Sequence, residues 1–584
     1  MTARHEEHEP TLEAPDGIDE GRRLVRLGGD KGLSLAERLS QRIDRLTWRT
    51  PLHTLRLKGR YPLKLIAVPD DPLIGVPERG AAMLAGEIGY RGKTHALADL
   101  DFGRRDWGRP FAEYVHSFAW LRDLSTVAPR SVGAPIAEAL MARWLAAYGE
   151  RVDALAWAPD LWGRRLLFWT AHAPLILSST DLIYRSSVLH TLARGARHLD
   201  RAADRAPPGA RRVAAWAGVV CAGLLIPGGD PRRQFGEAGL ARALAQSQFD
   251  DGGSVSRSPV VLMDTVAILA MVQECYRARR LELPEGIAAT CTRMVSALLG
   301  VTAADRGLTS WQGGRPVTGE RLAQVIEASG VRTRPLRQAR DWGYQRLAAA
   351  GAVVVMDAAP PPVGRVVEGG CASTLAFELS DGPARLVVNC GGARGALAGL
   401  PGDLAEGLRT TAAHSTLAIA DSNSTAIHAD GTLGRGVTEV QLARQEGEAG
   451  SRIEATHDGY VRAHGLAHRR QLMLAADGRE LRGEDQLLPQ GRRGGRARRG
   501  GPFAIRFHLG AGVEASPTAD GMAAILRLPG GALWQFRCRG GALTVEPSLW
   551  IDGEGRAVAT QQLVIGGEAP AGGASIGWLF KRAM

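Results

Sequence analysis

A helical first half followed by an antiparallel β half is the fold class predicted for this 584-residue chain. Three observations predict it. Apolar residues recur at three- and four-residue steps from about Trp107 to Gly351, with short joints rich in Pro, Gly and Asp. After Gly351 short alternating runs take over, separated by turns such as Asp381-Gly382, Asp458-Gly459 and Asp477-Gly478. The length also exceeds what one ordinary core can serve, so two or more domains are expected.

The helical elements follow in order. Phe111, Tyr114, Val115, Phe118 and Leu121 fall on one face of a predicted helix. The same period recurs over Ile136–Tyr148, Arg165–Leu177, Leu182–Leu199, Arg212–Leu225, Gly239–Gln248, Val261–Tyr276, Gly286–Leu299 and Arg321–Glu327. Helical hairpins without intervening strands imply a bundle, a solenoid or a closed ring of helix pairs. The longest apolar run, Val213–Ile226, stops at Pro227-Gly228-Gly229 and is too short to cross a bilayer. No membrane span is expected.

The β half opens with Ala352–Asp357, ahead of the stiff Pro360-Pro361-Pro362 break. Strand-like pieces follow at Thr374–Leu379, Arg385–Asn389, Ser415–Ala420, Glu439–Leu442, Arg452–Ala455, Arg470–Leu474, Ile505–Leu509, Ala523–Leu528, Leu533–Arg539 and Gln561–Ile565. Many short strands with tight turns predict an antiparallel β-sandwich. Glu484 and Asp485 are neighbours on such a strand and must point to opposite faces, so they cannot flank one glycosidic bond.

The net charge of +11 suits an acidic partner, an anionic glycan or a nucleic acid, although an arginine-rich composition produces the same excess. Nucleic acid is disfavoured. The Arg-rich run 492–500 is one short copy without interleaved aromatic residues, and reads as an exposed loop. The first twenty residues carry Glu6, Glu7, Glu9, Glu13, Asp16, Asp19 and Glu20 and no apolar signal-like stretch, and are expected to be disordered. Six cysteines without paired spacing read as reduced core residues of a cytoplasmic protein.

One titratable group stands out. His414 lies in a small-residue run just before a strand whose one face carries Leu417 and Ile419. A ring so placed either faces a cleft or is hydrogen-bonded at a sheet edge.

Several further pieces line up with a known family. They are Phe249-Asp250-Asp251-Gly252-Gly253-Ser254, Leu375-Ala376-Phe377-Glu378-Leu379 with Asn389-Cys390-Gly391, Ala413-His414-Ser415-Thr416, and His457-Asp458-Gly459-Tyr460 with His468-Arg469-Arg470. In order and spacing the chain resembles the heparinase II/III family of polysaccharide lyases. The resemblance implies an (α/α) toroid-like helical domain followed by an antiparallel β-sandwich. It divides the chain into an acidic tail (1–34), a toroid (35–351) and a sandwich (352–584), with β-elimination at a uronic acid as the reaction, an acidic polysaccharide or oligosaccharide as partner, and no cofactor. Such a carbon–oxygen lyase must neutralise the uronate carboxylate, remove the C5 proton and protonate the leaving oxygen.

The chain departs from the family pattern. Thr180 and Asp181 stand where an Asn-His pair is usual, and Val260-Val261 where a tyrosine is. Gly369, Cys371 and Ser373 replace a His-x-His-x-Asp motif, and Asn389 replaces an aspartate. A lone histidine beside one thiol does not make a zinc site, so no metal is expected. Two readings follow. In a rebuilt active cleft, His414 and Tyr184 would carry acid–base transfer, with Arg185, Arg257, Asp181, His457 and Tyr460 binding substrate. In a catalytically altered relative, the fold would bind an anionic glycan or an envelope precursor without cleaving it. Each residue also has an ordinary role: Tyr184 as half-buried core, Arg185 and Arg257 as surface or ion-paired groups, His457 and Tyr460 as turn and packing residues. Substrate identity and oligomeric state are not legible.

Overall fold

The computed structural model describes residues 19–26, 50–104, 106–362, 369–392, 400–429, 431–490 and 500–583. The Arg-rich run 492–499 and, of the expected tail, residues 1–18 and 27–34 lie outside them. The architecture is an (α/α) toroid followed by an antiparallel β-sandwich.

Successive helices build the toroid, among them Arg130–Tyr148, Pro159–Ala171, Leu182–Ala202, Ala210–Leu225, Asp230–Ser247, Pro259–Ala278, Glu285–Gly300 and Gly319–Ser329. The predicted helix through Phe111–Leu121 is two: Arg109–Ser117 ends at Phe118, which takes a left-handed φ of 64°, and Trp120–Val127 follows. Ala210–Leu225 is almost wholly buried and packs against its neighbours on several sides, so its residues are small or apolar all round. Pro259–Ala278 is, among the described residues, the one helix long and apolar enough to cross a membrane by length and composition; here it packs inside the toroid.

Close packing requires glycine at one crossing. A Cβ at Gly163 would collide with the Ala214 carbonyl, and one at Gly218 would strike Gly163 Cα, so Pro159–Ala171 and Ala210–Leu225 touch backbone to backbone. Gly163→Ala is therefore expected to destabilise the protein by about 1–3 kcal/mol, read as a lower urea midpoint at unchanged m-value. The Phe118, Trp144, Trp162 and Trp169 rings pack edge to face. Buried Arg165 sits at 4.2 Å and 4.3 Å from the Trp144 and Trp162 centroids, where ring faces and the His116 and Ala156 carbonyls replace a carboxylate.

The sandwich has two sheets. The nine-stranded one runs, in spatial order, Asp19–Val25, Glu439–Gly447, Gly450–His457, Leu466–Ala475, Glu480–Pro489, Ala574–Arg582, Leu533–Arg539, Ala523–Arg527 and Glu514–Pro517. The other runs from Ala542–Ile551 through Ala557–Ala569, Gly501–Leu509, Ala384–Val388, Phe377–Asp381 and Ala352–Asp357 to Tyr344–Ala349, with Leu417–Ile419 joined to Gly501–Leu509. All their pairings are antiparallel, and the inner faces form one apolar core.

Two expected boundaries move. The sandwich begins before residue 352, because Tyr344–Ala349 pairs with Ala352–Asp357 across a turn at Ala350 and Gly351; the alanines that close this strand resemble helix formers. Asp19–Val25, within the segment expected to be a disordered tail, is a strand paired with Glu439–Gly447. The alternation of Arg22, Arg23 and Leu24 is too short to announce it from sequence.

Candidate functional site

The seam between toroid and sandwich is organised around Asp357, the last residue of strand Ala352–Asp357 and fully buried. Arg257 reaches it from the toroid. The arginine follows the Asp250-Asp251-Gly252-Gly253 segment, whose Asp251 carboxylate accepts from the Asp341 and Trp342 amides at 2.8 Å. Gly253 lies under Trp342, leaving no room for a Cβ. The segment is thus a clamp between the halves. Arg257 donates through Nη2 to Asp357 Oδ1 at 2.7 Å, through Nε to the Trp342 carbonyl at 2.9 Å, and through Nη1 to the Ala359 and Pro360 carbonyls. Its guanidinium lies 4.7 Å from the Tyr344 ring centroid, and Tyr344 donates to the Arg257 carbonyl. Burial pulls its pKa down, and Asp357 followed by Tyr344 outweighs that, leaving it raised. Arg257, expected to bind substrate, has its guanidinium consumed by this network.

The positions of the family's histidine motif belong to the same network. Ser373 donates to Asp357 Oδ2 at 2.7 Å, Gln312 Nε2 donates to Ser373 Oγ at 2.8 Å, and the Cys371 amide donates to Gln312 Oε1 at 2.9 Å. Asn389 donates to Glu378 and accepts from the Ser415 amide. Hydroxyl and amide groups already bonded to one another, beside a single thiol that faces the Gly369 carbonyl, do not fit a metal ion. Among the described residues no three His, Cys, Asp or Glu side chains gather as a ligand set.

His414 ends the short turn Thr411–Ala413 and is 3% exposed. Its Nδ1–H donates to the Thr410 carbonyl at 2.7 Å, so Nε2 carries the lone pair. Burial lowers its pKa, against the Thr410 carbonyl and nearby Asp357, and the ring is neutral. Nε2 has no hydrogen-bond partner among the described residues.

The other expected site residues make no hydrogen bond, ion pair or ring contact with it among the described residues. Tyr184 donates to the Ile176 carbonyl at 2.9 Å, and burial raises its pKa further from that of a base. Asp181 caps helix Leu182–Ala202 by accepting from the Ile183 and Tyr184 amides, which is ordinary helix-start chemistry. Leu182 and Ile183 beside it are exposed, and Arg185 is half-buried. No hydrogen bond, ion pair or ring contact joins Tyr184 or Arg185 to His414 among the described residues. His457 and Tyr460 are buried in the sandwich. His457 Nδ1 accepts from the Gly459 amide, its Nε2–H donates to His468 Nδ1, and His468 Nε2–H donates to Asp485. Asp485 also binds Arg470 and Trp578, all inside the core, while Glu484 faces outward as alternation requires. Tyr460 donates to the Leu417 carbonyl and precedes a short helix, Val461–His464, rather than the strand its Asp-Gly neighbour suggests.

A basic cluster at the seam was not foreseen. Tyr90 stacks on Tyr114 at 4.5 Å, with the Arg79 and Arg91 guanidiniums 4.9 Å and 5.4 Å from the Tyr90 centroid. Arg315, half-buried on the loop before Gly319–Ser329, lies within electrostatic reach of both arginines and of Glu554 from the sandwich. Burial and then Arg91 lower its pKa. Arg315 makes no hydrogen bond or ion pair among the described residues. Arg79 already faces Asp123 at 3.9 Å; the three guanidiniums, from three separated segments, still repel one another, and an anion beside Arg91 and Arg315 would relieve that repulsion. Nothing in the sequence spacing announces such a cluster.

A toroid joined to an antiparallel sandwich is the fold that the resemblance to the heparinase II/III family implies. Residues 331–579 match the family described as Heparinase II/III-like, C-terminal. FtsZ-localized protein C of Caulobacter vibrioides (strain NA1000 / CB15N) is 30% identical over 555 residues, spanning 91% of this chain and 92% of that protein. The chain belongs to the heparinase II/III-like family. In the solved structures its fold matches a crystal structure of heparinase III with TM-score 0.67 at 13% identity, over 96% of this chain and 93% of that one. It also matches a mutant of heparan sulfate lyase HepC from Pedobacter heparinus with TM-score 0.60 at 14% identity, over 94% and 89%.

Proposed function

We propose that this protein is a lyase-fold binder that holds an anionic glycan or an envelope precursor at the seam and does not cleave it. The observation that carries this reading is the closed Arg257–Asp357–Ser373–Gln312 network, which occupies the place where elimination chemistry needs open donors. Elimination needs a carboxylate clamp, a base and an acid in one water-poor site. Here the clamp is internally paired and Tyr184 is tied to a backbone carbonyl. The Arg79, Arg91 and Arg315 cluster supplies attraction for carboxylate or sulfate without an adjacent proton acceptor. The relative that localises with FtsZ supports a place beside the division machinery, and six free, buried cysteines support a cytoplasmic setting. A lyase reading draws on one observation, the bare Nε2 of His414.

Incubation with a panel of uronate oligosaccharides separates the two. Saturable binding without a rise in the ultraviolet absorbance of unsaturated product is expected. Arg315→Ala should weaken binding about tenfold, or about 1.4 kcal/mol, without moving the melting temperature. An absorbance rise that His414→Ala or Tyr184→Phe abolishes would overturn the proposal. A fluorescent fusion that fails to co-localise with FtsZ would remove the cellular part of it.

A further inference from the structure

The outward face of the nine-stranded sheet carries a groove of about 610 Å3, lined by none of the seam residues. Its register explains its chemistry. Arg452 pairs with Met473, Met473 with Arg482, Arg482 with Leu579, and Leu579 with Arg537, so one transverse row alternates arginine with apolar side chains. In the next row Glu484 opposes Gly577 and Gly577 opposes Arg539. Gly577, lacking a side chain, leaves a notch over which Arg539 lies. Met473 is 38% exposed. Arg452 and Arg482 have carboxylate neighbours in Glu454 and Glu480. Arg537 and Arg539 have no carboxylate within ion-pair distance among the described residues. The surface asks for an acidic, extended segment that also brings apolar atoms.

The chain has such a segment next to this sheet. Residues 1–18 carry Glu6, Glu7, Glu9, Glu13 and Asp16 against a single Arg4, with Leu12 and Ile18 interspersed. They lead into the edge strand that begins at Asp19. Asp19 pairs with Arg444, and from there the transverse line runs through Ile453, Leu472, Gly483 and Trp578 to Cys538. Four of these, Leu472, Gly483, Trp578 and Cys538, line the groove. The groove centre is four strands from the edge, about 19 Å at the usual strand spacing, whereas eighteen extended residues reach about 60 Å.

We propose that residues 1–18 seat on this groove in cis, their carboxylates meeting Arg537 and Arg539 and their apolar side chains meeting Met473 and Leu579. The groove is thereby held by the chain's own acidic segment, and any other acidic segment must displace it. This inference does not depend on what the seam binds.

A label placed on the segment tests it in the full chain. All six native cysteines are buried, so Thr11→Cys takes a fluorophore selectively. Its anisotropy is expected to be high at about 0.1 M salt. It should fall about twofold at about 1 M, where the Debye length is ~3 Å. It should fall equally in Arg537→Glu/Arg539→Glu and remain high in Arg280→Glu, an exposed charge on the helical half. Glu6→Gln/Glu7→Gln/Glu9→Gln, which leaves the sheet untouched, should reproduce the loss. Anisotropy indifferent to both sets of substitutions overturns the proposal. So does anisotropy that falls on dilution, which would place the segment on a second copy.

Discussion

Between pH 7 and pH 5 the protein is expected to lose about 6 kcal/mol of folding stability, enough to unfold many domains. The loss comes from histidines held neutral in the two cores. His116, His198 and His508 have pKa values lowered from 6.5 to about 3, in each case chiefly by burial. His414, His457 and His468 are lowered as well, again by burial first. The rings are spoken for as neutral species. His198 Nε2–H donates to the Trp157 carbonyl while its Nδ1 accepts from His53, and His508 Nε2–H donates to the Ala412 carbonyl. The folded pKa lies below the unfolded one, so the unfolded chain takes up protons first as the pH falls. The stabilisation is therefore complete above about 6.5 and drains away toward about 3. At pH 5 each of the three rings contributes about 2 kcal/mol of loss. Asp71 adds little in this window. Burial raises it, but Arg122 and then His172 hold it down at about 2, so its contribution is lost only as the pH falls from about 4 to about 2. Urea unfolding at a series of pH values measures the slope, and His508→Gln should remove about 2 kcal/mol of the drop. A stability that stays flat from pH 7 to pH 5 would mean that these rings reach solvent or are already charged.

The sequence announces some of these features and hides others, for physical reasons. The long helices were legible because each buries a continuous stripe; Leu182–Ala202 and Pro259–Ala278 differ from their expected spans only at the ends. Strands with clean alternation, such as Leu533–Arg539, were legible for the same reason. Of Glu480–Pro489 only the Glu484–Asp485 step read as strand, because inward-facing Asp485 is a charge paired inside the core, which inverts the usual reading of alternation. Trp120–Val127 was hidden by the left-handed Phe118, a conformation that residue type does not favour. At the site, the loss of the family's histidines was plain from sequence alone. What replaced them was not: Gln312, Ser373 and Asp357 are far apart in the chain, and only the fold brings their hydrogen-bonding groups into one closed set. The same holds for Arg79, Arg91 and Arg315, which come together within the helical half from segments distant in the chain.

The Arg257–Asp357 pair decides whether the seam is a joint or a cleft, and substitution separates the two roles. Both side chains are buried, 3% and 0% exposed, and the bond between them is 2.7 Å. Removing either partner strands an unpaired charge, which in such surroundings costs about 3–5 kcal/mol. Arg257→Ala has the further effect of withdrawing donors from three carbonyls, those of Trp342, Ala359 and Pro360, on the segments that link toroid and sandwich. Calorimetry of Arg257→Ala is therefore expected to resolve two transitions, the toroid and the sandwich unfolding separately. Asp357→Asn should be as destabilising in total, because Arg257 stays charged and buried. Arg257→Met/Asp357→Leu, which removes both charges and keeps the volume, should recover more than half of the loss from either single change. A substrate clamp behaves differently: its loss weakens ligand binding and leaves the melting curve alone. If Arg257→Ala melts within about 1 kcal/mol of the unaltered protein but no longer binds uronate oligosaccharides, the arginine is a ligand group after all and the seam must open in solution. Loss of stability with glycan binding retained through Arg315 would fix Arg257 as the bolt between the two halves and assign recognition to the arginines around Tyr90.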